Sequence, residues 1–309
     1  MTLCIQASAN QSGDFYYKIV NSTAQIFNYV GVKQKIEIPA TIDGYKVKAV
    51  IGFTIVFQSV KEMSIPKGVD FIDISDHAGI LEKINVDENN LKYSSKDGVL
   101  FNKEKTVLIR CPKGATGIYS IPSSVKTIGE YAFWDCKYLT NVKIPDSVNK
   151  IESTAFGDCS KLNKIVLPDS IKIIEDMAFA GCLSVKEIII PNGLTTINLA
   201  VFAACKDVEK VSIPKSVTKI EDYAFRNCAK LIAVNFLGDA PIINENSFEG
   251  AAPGFKIYYH LGKNGFTNPW YGYNTVNEEL TTFLPIVIGI MVVGLIVLLI
   301  LRKRRNNKD

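Results

Sequence analysis

The chain has 309 residues, 47% of them hydrophobic, and a formal net charge of +4. Five of its 35 basic residues (Arg302, Lys303, Arg304, Arg305 and Lys308) fall in the last eight positions, opposed only by Asp309, so the rest of the chain is formally neutral. No basic stripe is left to follow a phosphate backbone, which argues against nucleic acid as a partner.

Residues 1–14 read as an N-terminal segment, a vestigial or truncated leader: "MTLCIQASANQ" has no basic n-region and only a short apolar run. Asn10 ("NQS") and Asn21 ("NST") are sequons, relevant as glycosylation sites if this part of the chain is lumenal. Residues 15–89 hold two segments, "KIEIPATIDG" and "VKEMSIPKGV", in which apolar residues alternate with polar ones and end on proline. Over residues 90–117, "KDG" lies between apolar runs, a strong hairpin signal, and predicts a small β-meander insert.

From residue 118 to 263 the chain repeats itself. Phenylalanine falls at 133, 156, 179, 202, 225 and 248, cysteine at 136, 159, 182, 205 and 228, and proline at 122, 145, 168, 191 and 214. A strict period of 23 is the mark of a solenoid, in which each coil buries its apolar face only by stacking on its neighbours. Within one coil, Leu139 to Pro145 alternates as a short strand with Val142 and Ile144 inward, closed by proline. Phe and Cys three apart then predict a helical or 3₁₀ turn with both side chains on one face. Stacked, the strands form one parallel sheet at about 4.7–4.9 Å spacing. Phe133, Phe156, Phe179, Phe202 and Phe225 form a core ladder beside Cys136, Cys159, Cys182, Cys205 and Cys228. The thiols are expected as small buried hydrophobes, because their spacing offers no chelating geometry and only His77 and His260 exist to join them.

The pattern L-x-x-V-x-I-P-x-S-V-x-x-I-x-x-x-A-F-x-x-C, carried by Leu139, Val142, Ile144, Pro145, Val148, Ile151, Ala155, Phe156 and Cys159, resembles the BspA-like, or Treponema-type, leucine-rich repeat. That resemblance covers nearly all of residues 15–275, with 15–89 as degenerate repeats. It departs at Val201 and Ser247 for Ala, at Ala251 for the last Cys, and at "FLGDAP". It implies a leucine-rich-repeat horseshoe and a surface protein, often an adhesin or antigen.

Residues 264–282, rich in Gly, Asn, Tyr and Pro, read as cap and linker. Phe283 to Leu301 carries no charge over 19 positions, long enough as a helix to cross a bilayer core of roughly 30 Å. Glu278 and Glu279 precede it and the basic tail, 302–309, follows. The positive-inside rule therefore puts that tail in the cytosol and the repeats outside, a single-pass type I arrangement. The weak leader leaves a tail-anchored form with cytosolic repeats as the alternative.

The sequence has no Gly-rich phosphate loop, HExxH or GxSxG. Glu152, Glu175 and Glu221 recur in one column, but Gly129, Asn198 and Asn244 interrupt it, which fits a solvated turn better than a cation or acid–base site. The expectation is a non-enzyme without cofactor, metal or small-molecule substrate. Its partner would be a protein or glycoconjugate on a host, matrix or neighbouring cell surface; a receptor or scaffold is the other reading. Outward positions of the strands form the binding face: Lys143, Val166, Ile189, Ser212 and Asn235 in one column, Asn141, Lys164, Glu187, Lys210 and Ala233 in the next. Val166 and Ile189 are apolar and adjacent in the stack, either a small interaction patch or ordinary β-branched sheet packing.

Overall fold

The computed structural model describes residues 9–55, 60–74 and 80–278. Its elements there are strands, wound into a solenoid of stacked coils. The expected membrane span 283–301, the tail 302–309, His77 and Cys4 lie outside the described residues. Among the described residues no helix is long and apolar enough to cross a membrane.

Each regular coil contributes two parallel rungs, where the sequence predicts one. The first is the expected front strand. Gly117–Ser120 pairs with Leu139–Lys143, and Glu187–Ile189, Lys210–Ile213, Ala233–Phe236, Lys256–Tyr259 and Thr275–Asn277 pair in succession. Between these groups the ladder thins to single bridges, Asn141 to Lys164 and Ile165 to Ile188. Proline ends the strand because it has no N–H for the ladder, and its carbonyl accepts the N–H three residues on, as in Val148 to Pro145 (3.1 Å). The chain then turns into a two-residue second rung at the isoleucine: Thr127–Ile128, Lys150–Ile151 and Ile173–Ile174, and again Thr196–Ile197 with Lys219–Ile220. Two residues are too few to show alternation, which is why this rung is hidden in the sequence.

The Ala-Phe-x-x-Cys segment makes the expected tight turn, with the Cys136 N–H donating to the Phe133 carbonyl at 3.1 Å and both side chains buried, but it is not helix, which corrects that part of the expectation. In a helix the N–H groups would point along their own segment. Here the N–H groups of Tyr131, Phe133 and Asp135 donate instead to the next coil's Ser153, Ala155 and Gly157 carbonyls at 3.2, 2.7 and 2.9 Å. The same three-bond ladder links Thr154, Phe156 and Asp158 to Asp176, Ala178 and Ala180. It requires left-handed backbone at two places per coil, Tyr131 and Asp135 (φ 55° and 58°), then Thr154 and Asp158 (φ 55° and 58°). In the second of these columns stand Asp135, Asp158, Gly181, Ala204, Asn227 and Gly250, largely residues that tolerate positive φ. That column is the legible trace of the turn.

The core runs as one cluster from Val99 to Trp270, with a second from Tyr17 to Leu100. Phenylalanine rings stack along the axis, with centroids 4.8, 4.9, 5.6, 5.4 and 5.4 Å apart from Phe133 through to Phe248 and planes within 17° of parallel. Carbon contact lies at about 3.5–4.0 Å, so those separations mean laterally offset rings, the favoured arrangement.

The two ends differ from the coils. Asn10–Ser12, Phe15–Val20 and Thr23–Tyr29 make an antiparallel meander that joins the parallel strand Tyr45–Ile55. The span expected as degenerate repeats thus opens on a cap, followed by front strands Lys35–Glu37, Glu62–Ile65 and Lys83–Val86. Tyr93–Lys96, Val99–Asn102 and Val107–Arg110 form an antiparallel meander turning at Asp97-Gly98 (φ 53° and 80°), and its last strand pairs in parallel with Thr127–Ile128. At the other end, Phe236, Phe266 and Trp270 close the core, and Thr275–Asn277 extends the front sheet inside the span read as cap and linker.

Candidate binding face

The front sheet brings the outward columns together in register. Ile189 lies beside Ser212, Ser212 beside Asn235, and Asn235 beside Tyr258; Glu187 lies beside Lys210 and Lys210 beside Ala233. The bridges from Asn141 to Lys164 and from Ile165 to Ile188 carry both columns back to Lys143. Alternation about the buried Val142, Ile165, Ile188, Val211 and Val234 is what turns these residues outward. Lys143, Lys164, Glu187, Lys210 and Ser212 are exposed, and Asn141, Ala233 and Asn235 are half-buried.

Val166 and Ile189 retain 55% and 60% of their accessible surface, side by side on this face. Lys164, Glu187 and Lys210 flank them, and none of the three forms an ion pair among the described residues. The matching positions of the early coils behave differently: Glu62 is held by Lys35 at 3.0 Å and approached by Lys83 at 3.8 Å. Ile118, 63% exposed and beside Asn141, is a further apolar residue of the face that the sequence reading missed, because its coil adjoins the insert.

The thiol column is wholly interior. Cys136, Cys159, Cys182, Cys205 and Cys228 are buried and unpaired, as is Cys111. Each of the last four donates its S–H to the carbonyl of the phenylalanine in the preceding coil: Cys159 to Phe133 (3.1 Å), Cys182 to Phe156 (3.3 Å), Cys205 to Phe179 (3.4 Å) and Cys228 to Phe202 (3.3 Å). Burial pushes the Cys159, Cys182 and Cys205 thiols well above their ordinary range and Cys228 up to about 12. A thiol kept protonated is neither nucleophile nor metal ligand.

The recurrent carboxylates are engaged within the protein. Lys150 bridges Glu175 (2.8 Å) and Glu152 (3.0 Å), and those two acids hold its ammonium above the usual lysine range, Glu175 first. The same carboxylates accept the backbone N–H groups of Glu130 and Ser153 at 3.1 Å, and Glu221 pairs with Lys219 at 2.7 Å. Among the described residues no His, Cys, Asp or Glu cluster could hold a metal ion. Asn10 and Asn21 are both exposed, Asn10 in the edge strand and Asn21 in the turn that follows Phe15–Val20 (φ 47°).

No curated protein matches the chain. Among solved structures it is similar to the pneumococcal vaccine antigen PcpA, with TM-score 0.59 and 16% identity over 87% of this chain and 98% of that one. A leucine rich cell surface protein from Faecalibacterium prausnitzii gives TM-score 0.52 and 23% identity over 76% and 96%. A leucine-rich repeat protein from Eubacterium ventriosum gives 0.53 and 19% over 78% and 93%. At these identities the likeness establishes the fold alone, a stack of leucine-rich coils. Residues 115–232 match the model of the BspA type leucine rich repeat region in six copies, so this stretch of the chain is built of BspA-type leucine-rich repeats.

Proposed function

We propose that the chain is a membrane-anchored cell-surface protein, an adhesin or surface antigen that binds a protein or glycoconjugate of a host, matrix or neighbouring cell through its front sheet. In this reading residues 283–301 cross the bilayer, 302–309 lie in the cytosol against lipid headgroups, and the repeats face outward. Two of the similar structures are described as a vaccine antigen and a cell surface protein, which supports that placement.

One observation carries the binding role: Val166 and Ile189, each more than half exposed, adjoin on the sheet inside a rim of unpaired Lys164, Glu187 and Lys210. An apolar centre within a polar rim is the anatomy of an interface. The test is the double substitution Val166→Ser and Ile189→Ser. Strand preference at exposed sites spans about 1 kcal/mol, so thermal unfolding should shift little. Attachment to the partner surface should weaken at least about fivefold, since truncating a central anchor costs ~1 kcal/mol or more. Unchanged attachment, or attachment and stability lost together, would reduce the pair to ordinary sheet packing.

A further inference from the structure

The described residues end at Glu278, and Phe283, the first residue of the uncharged run, is five residues further on. Five residues span at most about 18 Å. On the reading that 283–301 crosses a bilayer, on which this inference rests, the last coil is held within that distance of the hydrocarbon. The headgroup layer itself fills about 5–7 Å of it. His260 Nε2 lies 3.5 Å from Glu278 Oε2, which puts the turn after Lys256–Tyr259 beside the exit of the chain.

Two turn tips of this coil carry large apolar side chains, at positions where turns in water favour small polar ones. Leu261 and Gly262 (φ 82°) form the tip of a turn closed by the Lys263 N–H on the His260 carbonyl at 3.3 Å, and Leu261 keeps 65% of its accessible surface. Tyr271 and Gly272 (φ 48° and 82°) form the tip of a second, in which Trp270 and Tyr273 exchange N–H···O bonds at 3.0 Å each. Tyr271 is 48% exposed. A run of rings ties the two turns together: Tyr259 stacks on Phe266 at 4.5 Å, Phe266 meets Trp270 at 5.1 Å, and Trp270 meets Tyr271 at 5.3 Å.

Composition and charge select what this coil meets. Residues 250–277 contain no Asp or Glu, against 31 in the whole chain, and their charged residues are Lys256, exposed, and Lys263, half-buried. Seven of these 28 residues are aromatic, a quarter, where the chain as a whole has 10%. Phe266, Trp270 and Tyr273 pack on the core, so that count is partly structural, but Lys256, Leu261 and Tyr271 stand outside it. A lipid surface suits those three. Leucine and tyrosine enter the headgroup boundary, lysine meets lipid phosphate, and carboxylates, which anionic lipid would repel, are missing from the span. A second copy of the same face would instead set lysine against lysine.

We propose that the last coil is a lipid-docking cap: the Leu261 and Tyr271 tips seat in the headgroup layer with Lys256 toward lipid phosphate, so that cap and tether together fix how the solenoid stands on the bilayer. The tether makes docking intramolecular, so a patch too weak to hold an untethered protein suffices. For the test, the full-length chain with Cys4→Ser carries an environment-sensitive dye at Asn264→Cys or, as reference, at Lys164→Cys; the other six cysteines are buried and stay unlabelled. One chain is placed in each nanodisc of phosphatidylcholine and phosphatidylserine in equal parts. Alkaline extraction from vesicles of the same lipids reads the span by itself: a chain that washes off overturns the span, and this inference with it. In a retained chain the dye at 264 should emit further to the blue than the dye at 164, and aqueous iodide should quench it several-fold less. Leu261→Ser alone should reduce that protection. Leu261→Ser with Tyr271→Asn, a residue that accepts the positive φ, should erase most of it while the chain stays folded and retained. The proposal is overturned, with the span intact, if iodide reaches 264 as readily as 164 in a retained chain. It is overturned equally if the double variant stays as protected as wild type, the dye alone then holding the surface, or if protection appears only in discs holding two chains, a second copy then covering the face.

Discussion

Replacing Phe179 by alanine should lower the unfolding free energy by about 3–5 kcal/mol, the cost of emptying a large buried aromatic site. Phe179 is fully buried between Phe156 at 4.9 Å and Phe202 at 5.6 Å, so the change removes two stacked pairs as well as the ring's own burial. In a solenoid each coil is held only by its neighbours, so a gap at this coil also uncouples the two halves of the stack. Denaturant unfolding should then lose its single sharp transition. Lys164→Ala, on the exposed face, should change stability by no more than about 0.5 kcal/mol. A Phe179→Ala protein within 1 kcal/mol of wild type would contradict the account of the ladder as the core.

The second large effect belongs to the thiols. Cys182→Ser should cost on the order of 1–3 kcal/mol, because a more polar group enters a site whose one acceptor is the Phe156 carbonyl. Native protein should resist alkylation at all five ladder cysteines and react after unfolding. The same burial gives an alkaline limit. The folded thiols are raised above the unfolded value near 9, so their contribution is intact below that pH. It falls as pH rises toward the folded values, by about 1.4 kcal/mol per pH unit for each thiol that ionises only on unfolding. Cys182→Ser should therefore lose stability less steeply above pH 9 than wild type does. Rapid native alkylation, or sulfurs found cross-linked, would show that the column is not a packed interior.

The repeat columns were legible because stacking forces one environment on every 23rd position. Phe133 to Phe225, Cys136 to Cys228 and the inward Val142 to Val234 series all stand buried. The outward positions followed from simple alternation, and Val166 and Ile189 are exposed where alternation put them. What stayed hidden is local or non-repeating. The isoleucine rung is two residues long, and the positive-φ turn places Tyr131, Thr154 and Met177 where composition alone would not. The aromatic closure around Trp270 and the strand Thr275–Asn277 lie in a Gly-, Asn- and Tyr-rich span that reads as linker.

Whether the sheet face meets partners outside the cell decides the functional reading, and access to intact cells measures it. An epitope placed ahead of Asn10 and another after Arg305 are probed by antibody before and after permeabilisation. The type I account requires the first to be labelled on intact cells and the second only after permeabilisation. Labelling of the tail epitope alone from outside would place the repeats in the cytosol and contradict it.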